Sequence, residues 1–452
     1  MSDPARQRQS VFGGLLLILI GVLFLLHHFR PELGIGHLFR MYWPLILIFW
    51  GLIKLIENFA PRAPGEARGP IISGGEIALL LLLVIVALGL EGYDHVRRQF
   101  PEMDMGDMWT QKGVPVNEEL PPQTIPSNST ISIRTTEGDI TVFPDDGNQL
   151  RVAATKTVSS ISEDKSRKRA EQISVAIAPE GKLGYAIQPT GISSHEHVRV
   201  NFEVHVPKQA SIVAKTDTGD INISDLTGTI TATSQKGDIE IHDTGAVTLT
   251  MQNGDVRVNT IKGDVSVKGP GNDVNVGGVT GNATLDGDFY GSVQLENISQ
   301  TVRFTSSRTS LLIASLPGQL ELDSGSLQIS NAPGNIRVAT RDRDVSLDNT
   351  AGRIEIADAH GDISVSLSKS PKDEISITND TGGIDLALPS TSTFEISAAS
   401  RSGDVDSEFE ATGLSKQTSG DTTTLNGKLG TRGPKISLAT SYGTINLRKT
   451  ES

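Results

Sequence analysis

Between residues 219 and 263 a glycine returns at 219, 228, 237, 245, 254 and 263, stepping by 9, 9, 8, 9 and 9 residues. Each opens one unit, from Gly219-Asp220-Ile221-Asn222-Ile223 through Gly237-Asp238-Ile239-Glu240-Ile241 to Gly263-Asp264-Val265-Ser266-Val267. All but one copy carry a polar residue after the glycine, and all close on an apolar-x-apolar triplet. The rhythm continues through Gly281, Gly291, Gly318, Gly325, Gly334, Gly352 and Gly361, with Gln300, Thr309 and Arg343 standing where a glycine would fall. A final copy is Gly443-Thr444-Ile445-Asn446-Leu447.

The unit has a direct physical reading. Glycine supplies the positive φ that a sharp turn between strands needs, and an aspartate after it is expected to accept bonds from its own downstream amides. Apolar positions two apart point the same way along a strand, so both turn inward and the residue between them turns out. That accounts for the polar or charged Asn222, Thr231, Glu240, Thr248, Arg257 and Ser266. Two inward side chains per strand make too thin a core for an isolated hairpin, whereas stacked coils join them into a continuous ladder. The expected fold is an all-β parallel β-helix, or β-solenoid. A β-sandwich is the alternative, but it calls for longer strands and irregular connections.

The first quarter of the chain follows another pattern. Twelve of the 21 aromatics, including Trp43, Trp50 and Trp109, precede residue 110. Val11–Phe29 and Met41–Phe59 are each 19 residues long and almost wholly apolar, about what a ~30 Å hydrocarbon slab requires of a helix. Ile71–Leu90, with an uninterrupted apolar run from Ile77, is read as a third span, followed by Arg97 and Arg98. A cleaved signal peptide is disfavoured because no small-x-small site precedes His27-His28 and a second span follows. Arg6, Arg8, Lys54, Arg62 and Arg68 against Arg30, Arg40, Arg97 and Arg98 favour a cytoplasmic N-terminus. Three spans would then carry the rest of the chain out of the cytoplasm.

The expected organisation is a membrane domain over 1–99, with helices at about 11–29, 41–59 and 71–90, and a proline-rich tether over 100–128. An α+β cap over 129–212 follows, and then a solenoid over 213–449 with an irregular insertion at 407–433. Within the cap, Ser162–Gln172 reads as a polar helix whose basic residues Lys165, Arg167, Lys168 and Arg169 form a solvated face. Val198–Val206 reads as a half-buried strand closed by Pro207.

Chemistry is scarce. The chain has no cysteine, which removes disulfides, zinc ribbons and thiol catalysis. Residues 1–100 hold nine Lys/Arg against seven Asp/Glu, leaving a balance of −15 beyond them. That charge argues against nucleic acid and anionic headgroups and accommodates neutral glycans or a basic protein patch. Asp220, Asp238, Asp255, Asp264, Asp362 and Asp404 recur at one turn position and raise the thought of a carboxylate site or of calcium. Because they share the register of the turn glycine, they read as turn residues. Nine-residue calcium solenoids use GGxGxD turns, and Gly277-Gly278-Val279-Thr280-Gly281-Asn282 has neither the spacing nor the final aspartate. His195-Glu196-His197 reads as a solvated loop, too far from His205 to share a metal with it. No HExxH, Walker loop, GxSxG or strand-to-helix GxGxxG is present. No catalytic, cofactor-binding or metal residue is assigned. Few of the nine aromatics beyond Ser129 are clustered, which favours binding over catalysis.

Two stretches resemble known families. Gly21-Val22-Leu23-Phe24-Leu25-Leu26 with Trp43-Pro44-Leu45-Ile46-Leu47-Ile48 is similar to the LiaI/LiaF-like transmembrane region of bacterial envelope-stress proteins, over about residues 11–59. The GD-apolar-x-apolar array, with Phe202-Glu203-Val204-His205-Val206-Pro207, resembles the bacterial putative-adhesin family of β-strand-repeat domains, over roughly 127–449. The resemblance implies a β-helical domain on a membrane anchor and a role in envelope-stress signalling, and it transfers no catalytic residues. The expected function is a non-enzymatic, membrane-anchored surface that senses, scaffolds or adheres, its partners being the bilayer and an envelope protein or glycan. A membrane-tethered carbohydrate-active enzyme of the β-helix type is the alternative.

Overall fold

The computed structural model describes residues 113–450 apart from 160–161, 194–195 and 411. They lie in one compact unit, Gln111–Ser452. The three expected spans and the tether as far as residue 112 fall outside the described residues. Among the described residues no helix is long and apolar enough to cross a membrane.

Two 17-stranded sheets face one another, and the chain alternates between them. Ile221–Ser224 of the first sheet pairs in parallel with Ile239–Thr244, 18 residues later, and that strand with Val256–Ile261. In the facing sheet Ser211–Thr218, Ile230–Lys236, Val247–Met251 and Val265–Lys268 stack in the same way. The nine-residue step is therefore half a coil, and a whole coil contributes one strand to each sheet. In cross-section this gives the two-layer core of a sandwich, wound as a solenoid.

The alternation seen in the sequence is realised. Ile221, Ile223, Ile239, Ile241, Val256 and Val258 point inward at 1% exposure or less, opposite Ile230, Ala232, Val247 and Leu249. Asn222, Glu240 and Arg257 lie on the solvent face. A third inward position was not anticipated. At or just past the end of five successive first-sheet strands one residue takes a positive φ, at Asp225 (59°), Asp243 (47°), Thr260 (60°), Gly278 (63°) and Asn297 (54°). This kink turns the next residue into the core, where Leu226, Thr244, Ile261, Val279 and Ile298 plug the corner.

The glycines at the opposite corner stand where coils approach closely. Gly237 has a φ of 139°, and a Cβ there would lie 2.1 Å from the Gly219 carbonyl oxygen of the coil below. Part of the polar lining beside these turns satisfies the same carbonyls. Thr216 donates to Gly138 O (3.0 Å), Ser234 to Gly219 O (3.2 Å), Thr440 to Gly382 O (3.1 Å) and Ser400 to Gly443 O (2.7 Å).

The winding departs from a uniform parallel helix in three places. Ser310–Ile313 runs antiparallel to both Val302–Thr305 and Ile336–Ala339, and Leu316–Leu322 antiparallel to both Val293–Ile298 and Ser326–Ser330. One coil is thus reversed, where sequence analysis took Thr309 and Gly318 as ordinary rungs. At the N-terminal end Thr130–Arg134 lies between Gly184–Thr190 and Ser211–Thr218, so the first coil is sandwiched by segments that follow it. At the C-terminal end Lys435–Tyr442 lies between Ile375–Thr381 and Phe394–Ser400, and Ile445–Thr450 between Ile384–Pro389 and Val405–Ser407. The final coil fills an interior layer. Within 407–433 the hairpin Leu414–Ser419 and Thr422–Leu429 pairs antiparallel with Phe394–Ser400.

The N-terminal end holds the one described helix, Glu163–Gln172, with Ser162 at its N-cap and Ser166 and Ala170 buried. Beneath it Lys156 is 4% exposed. Its ammonium donates to Ile173 O (2.6 Å) and to Glu118 (3.0 Å), which gives the buried charge partners.

Substituting Ile239→Asp places a carboxylate in the ladder and should cost several kcal/mol in chemical denaturation, whereas Glu240→Lys on the solvent face should change stability by about 0.5 kcal/mol or less. Gly237→Ala should cost about 2 kcal/mol or more, because strain and the carbonyl clash add. Gly181→Ala, at φ 74° with nothing within 4 Å, should cost about 1 kcal/mol. Equal losses within either pair would contradict the coil geometry.

Candidate functional site at the coil reversal

The turn aspartates are structural, though not as anticipated. Their carboxylates accept the amide of the next coil rather than one downstream in their own turn. Asp139 Oδ1 accepts Asp220 N–H (3.0 Å), Asp220 that of Asp238 (2.8 Å), Asp238 that of Asp255 (2.8 Å), Asp255 that of Asp273 (3.3 Å) and Asp273 that of Ser292 (2.7 Å). Asp264 serves Asn282 on the other edge (2.8 Å), and Asp362 serves Gly383 (2.7 Å). Asp404 differs, accepting the Val405 amide and pairing with Lys416, which holds its carboxyl below the usual range.

The other sequence candidates do not assemble into a centre. His197 is exposed, and His195 lies outside the described residues. His205 sits against Glu203 at 3.2 Å. Arg169 donates to both oxygens of Glu196, at 2.9 and 2.7 Å, and draws that carboxyl down to about 2. Lys165, Arg167 and Lys168 are exposed. Among the described residues no three or more His, Asp or Glu side chains are placed to hold a metal. A cleft of about 650 Å³ opens at the C-terminal end beside Phe409 and Leu414, but its ammonium, Lys416, is already shared by Asp404 and Asp406.

The reversed coil builds a different kind of site. Its two hairpin turns, at 306–309 and 323–326, meet the loop 288–291 around a groove of about 320 Å³. Asp288 Oδ1 accepts both the amide and the hydroxyl of Ser307 at 2.8 Å, tying the loop to the first turn. Asp323 caps the second turn through the amides of Gly325 (2.8 Å) and Ser326 (2.6 Å) and the Ser326 hydroxyl (3.1 Å). These bonds, led by the Ser307 amide at Asp288 and the Gly325 amide at Asp323, keep both carboxyls below their ordinary range. Both stay ionised at neutral pH, so neither serves as a general acid.

Arg343 spans the two turns. Its Nε donates to Asp323 O at 2.7 Å and its Nη1 to Thr309 Oγ1 at 2.6 Å, while Thr309 meets Thr340 at 3.0 Å. Partial burial lowers the Arg343 pKa, and the neighbouring Arg308 charge adds to that shift. Phe289 and Phe304 pack at 6.2 Å between centroids on one wall, and Tyr290 stands out at 80% exposure. In the sequence few of the aromatics cluster: Phe304 lies 15 residues beyond Phe289, and only the stacking of Ala283–Asp286 on Val302–Thr305 brings the two together. A signal was nonetheless present. Thr309 and Arg343 are two of the three rungs where a glycine is replaced, and they are hydrogen-bonded to each other here.

With its Oδ1 committed between coils, Asp238→Ala should lower stability by about 1 kcal/mol in denaturant titration. Chelation of calcium should leave circular dichroism and melting unchanged. A large calcium-dependent rise in Tm would make Asp220, Asp238 and Asp255 ligands instead.

Comparison with known proteins gives two family matches. A LiaI-LiaF-like transmembrane region matches residues 11–55, and the Toastrack DUF4097 family matches residues 128–448. No curated protein matches the chain. Similar solved structures include a "putative cell adhesion protein" from Clostridium sporogenes, at 10% identity over 75% of this chain and 100% of that one, with a TM-score of 0.16. A "putative adhesin" from Bacteroides fragilis has 8% identity over 75% and 97%, with a TM-score of 0.19. Another from Parabacteroides distasonis has 8% identity over 74% and 97%, with a TM-score of 0.23. At such TM-scores these likenesses carry no further argument. The family match takes in nearly all of the stacked coils, and the chain belongs to the Toastrack DUF4097 family.

Proposed function

We propose that the chain is a non-enzymatic, membrane-anchored display surface of the bacterial envelope, on which a rigid solenoid presents a binding groove outside the cytoplasm for sensing or adhesion. The observation that carries this reading is the use of the turn carboxylates. Cleavage of a glycosidic bond needs two carboxyls free to act as acid and base or nucleophile. The recurring aspartates here accept amides from the neighbouring coil, which supports a surface built for binding rather than turnover. Stiffness supports it as well. Seventeen strands hydrogen-bonded side by side extend for roughly 75 Å at about 4.8 Å per strand.

The anchor is the LiaI-LiaF-like transmembrane region at residues 11–55, and its kinship with envelope-stress proteins favours signalling as the use of the surface. Sidedness depends on the span at 71–90. With three spans and the N-terminus inside, the solenoid emerges outside the cytoplasm. With two it would return to the cytoplasm as a scaffold.

A reporter active only outside the cytoplasm should be on when fused after Asn128 and off when fused after Pro64. If the Asn128 fusion works only as a cytoplasmic reporter, the third span and the adhesive reading are both wrong.

A further inference from the structure

At the groove of the coil reversal, cationic donors are left uncommitted beside an exposed aromatic. Among the described residues the Arg308 guanidinium makes no hydrogen bond or ion pair, although Asp288 and Asp323 border the same groove. Those carboxylates are taken by Ser307 in one turn and by Gly325 and Ser326 in the other. Arg343 commits Nε and Nη1 within the fold, leaving its Nη2 donors without a described acceptor. Two guanidiniums facing one cleft repel each other until an acceptor joins them, and a guanidinium fork matches carboxylate or phosphate oxygens.

Tyr290 supplies the second half of the argument. A tyrosine at 80% exposure makes little contribution to a core. Its loop is nevertheless held from both sides, through Tyr290 N–H to Gly271 O (2.9 Å) and through Asp288 to Ser307. An exposed ring on a tethered loop, lining the same groove as Phe289 and Phe304, is a platform for the apolar face of a flat, hydroxyl-bearing ring, with a wet edge left for polar contacts. The groove volume of about 320 Å³ suits one or two such rings.

We propose that this groove binds an anionic saccharide, with Tyr290 as the stacking platform and Arg308 and Arg343 as partners of the carboxylate or phosphate. The proposal rests on the reading of the domain as a binding surface and deepens it by naming the ligand class. Asp288, Asp323 and the nearby Asp342 oppose the anion at longer range, so any preference for an anionic over a neutral sugar must come from Arg308 and Arg343, which makes that preference the sharpest test.

The test uses the full chain in phosphatidylcholine nanodiscs and isothermal titration with three probes: tetragalacturonate, a phosphodiester-linked hexose oligomer, and uncharged galactotetraose. At least one anionic probe should bind at least tenfold more tightly than galactotetraose and weaken with salt; which one binds tells carboxylate from phosphate. Tyr290→Ala and Arg308→Gln should each weaken that binding at least tenfold with unchanged Tm. Arg343→Gln should weaken it too, but because Arg343 also braces the turns, the two exposed positions decide the matter. Absence of binding by both anionic probes at millimolar concentration would overturn the proposal. So would equal binding of galactotetraose, or binding insensitive to Tyr290→Ala. None of these results alters the reporter fusions, so a failed ligand and a misplaced domain are told apart.

Discussion

The regular coils sit one on another through a bond that closes the turn onto its neighbour: a carboxylate at one level accepts the backbone amide at the next, as Asp220 does for Asp238, beside a glycine close against the carbonyl beneath it. Strand pairing alone would permit the coils to slide by two residues without turning a side chain to the wrong face. The turn bond removes that freedom. It sets the register that brings Ile221 over Ile239 and Ile239 over Val256, and so makes the inward columns continuous. A Cβ at Gly237 would meet both the Gly219 carbonyl oxygen and the Asp220 carboxylate, so the glycine and the aspartate of the repeat serve one contact.

A stack of this kind must still end, and parallel strands leave unpaired edges at both extremities. Here each end is closed by skipping a layer and filling it from elsewhere in the chain. The first coil is covered by the strands Gly184–Thr190 and Val198–Pro207, which come later, and the last coil slides under the layer formed by Phe394–Ser400 and Val405–Ser407. An interior layer with neighbours on both sides then holds each terminal coil. The reversed coil is the one interior break in the sense of winding, and its hairpins project turns where the regular coils have compact corners. Those turns and the adjoining 288–291 loop supply the groove.

Much of this was legible in the sequence. Period-two apolar triplets after turn glycines identified the strands and their inward faces, as Ile239 and Glu240 illustrate, and the turn register identified the aspartates as structural. The number of strands per coil was not legible, because a nine-residue step repeats identically whether a coil holds two such units or three. The acceptor partners of the aspartates were hidden for the same reason, since a bond to a residue 17 or more positions away has no local signature. Nor was the corner at Thr260 readable, because a β-branched residue is a poor candidate for positive φ. The groove went unread because Phe289 and Phe304 come together only once the coils are stacked, although the loss of glycine at Thr309 and Arg343 marked the place.

Native-state hydrogen exchange at the turn amides of Asp220, Asp238, Asp255 and Asp273 tests the account most directly. These amides sit in turns, where exchange is ordinarily fast, yet each is bonded to the carboxylate of the coil below. The account predicts that they exchange as slowly as the neighbouring strand amides of Ile239 and Val256, and that Asp220→Ala accelerates exchange at Asp238 more than at Asp273. Turn amides that exchange at the rate of exposed loops in the intact protein would show that the coils are not held in register by these bonds, and would contradict it.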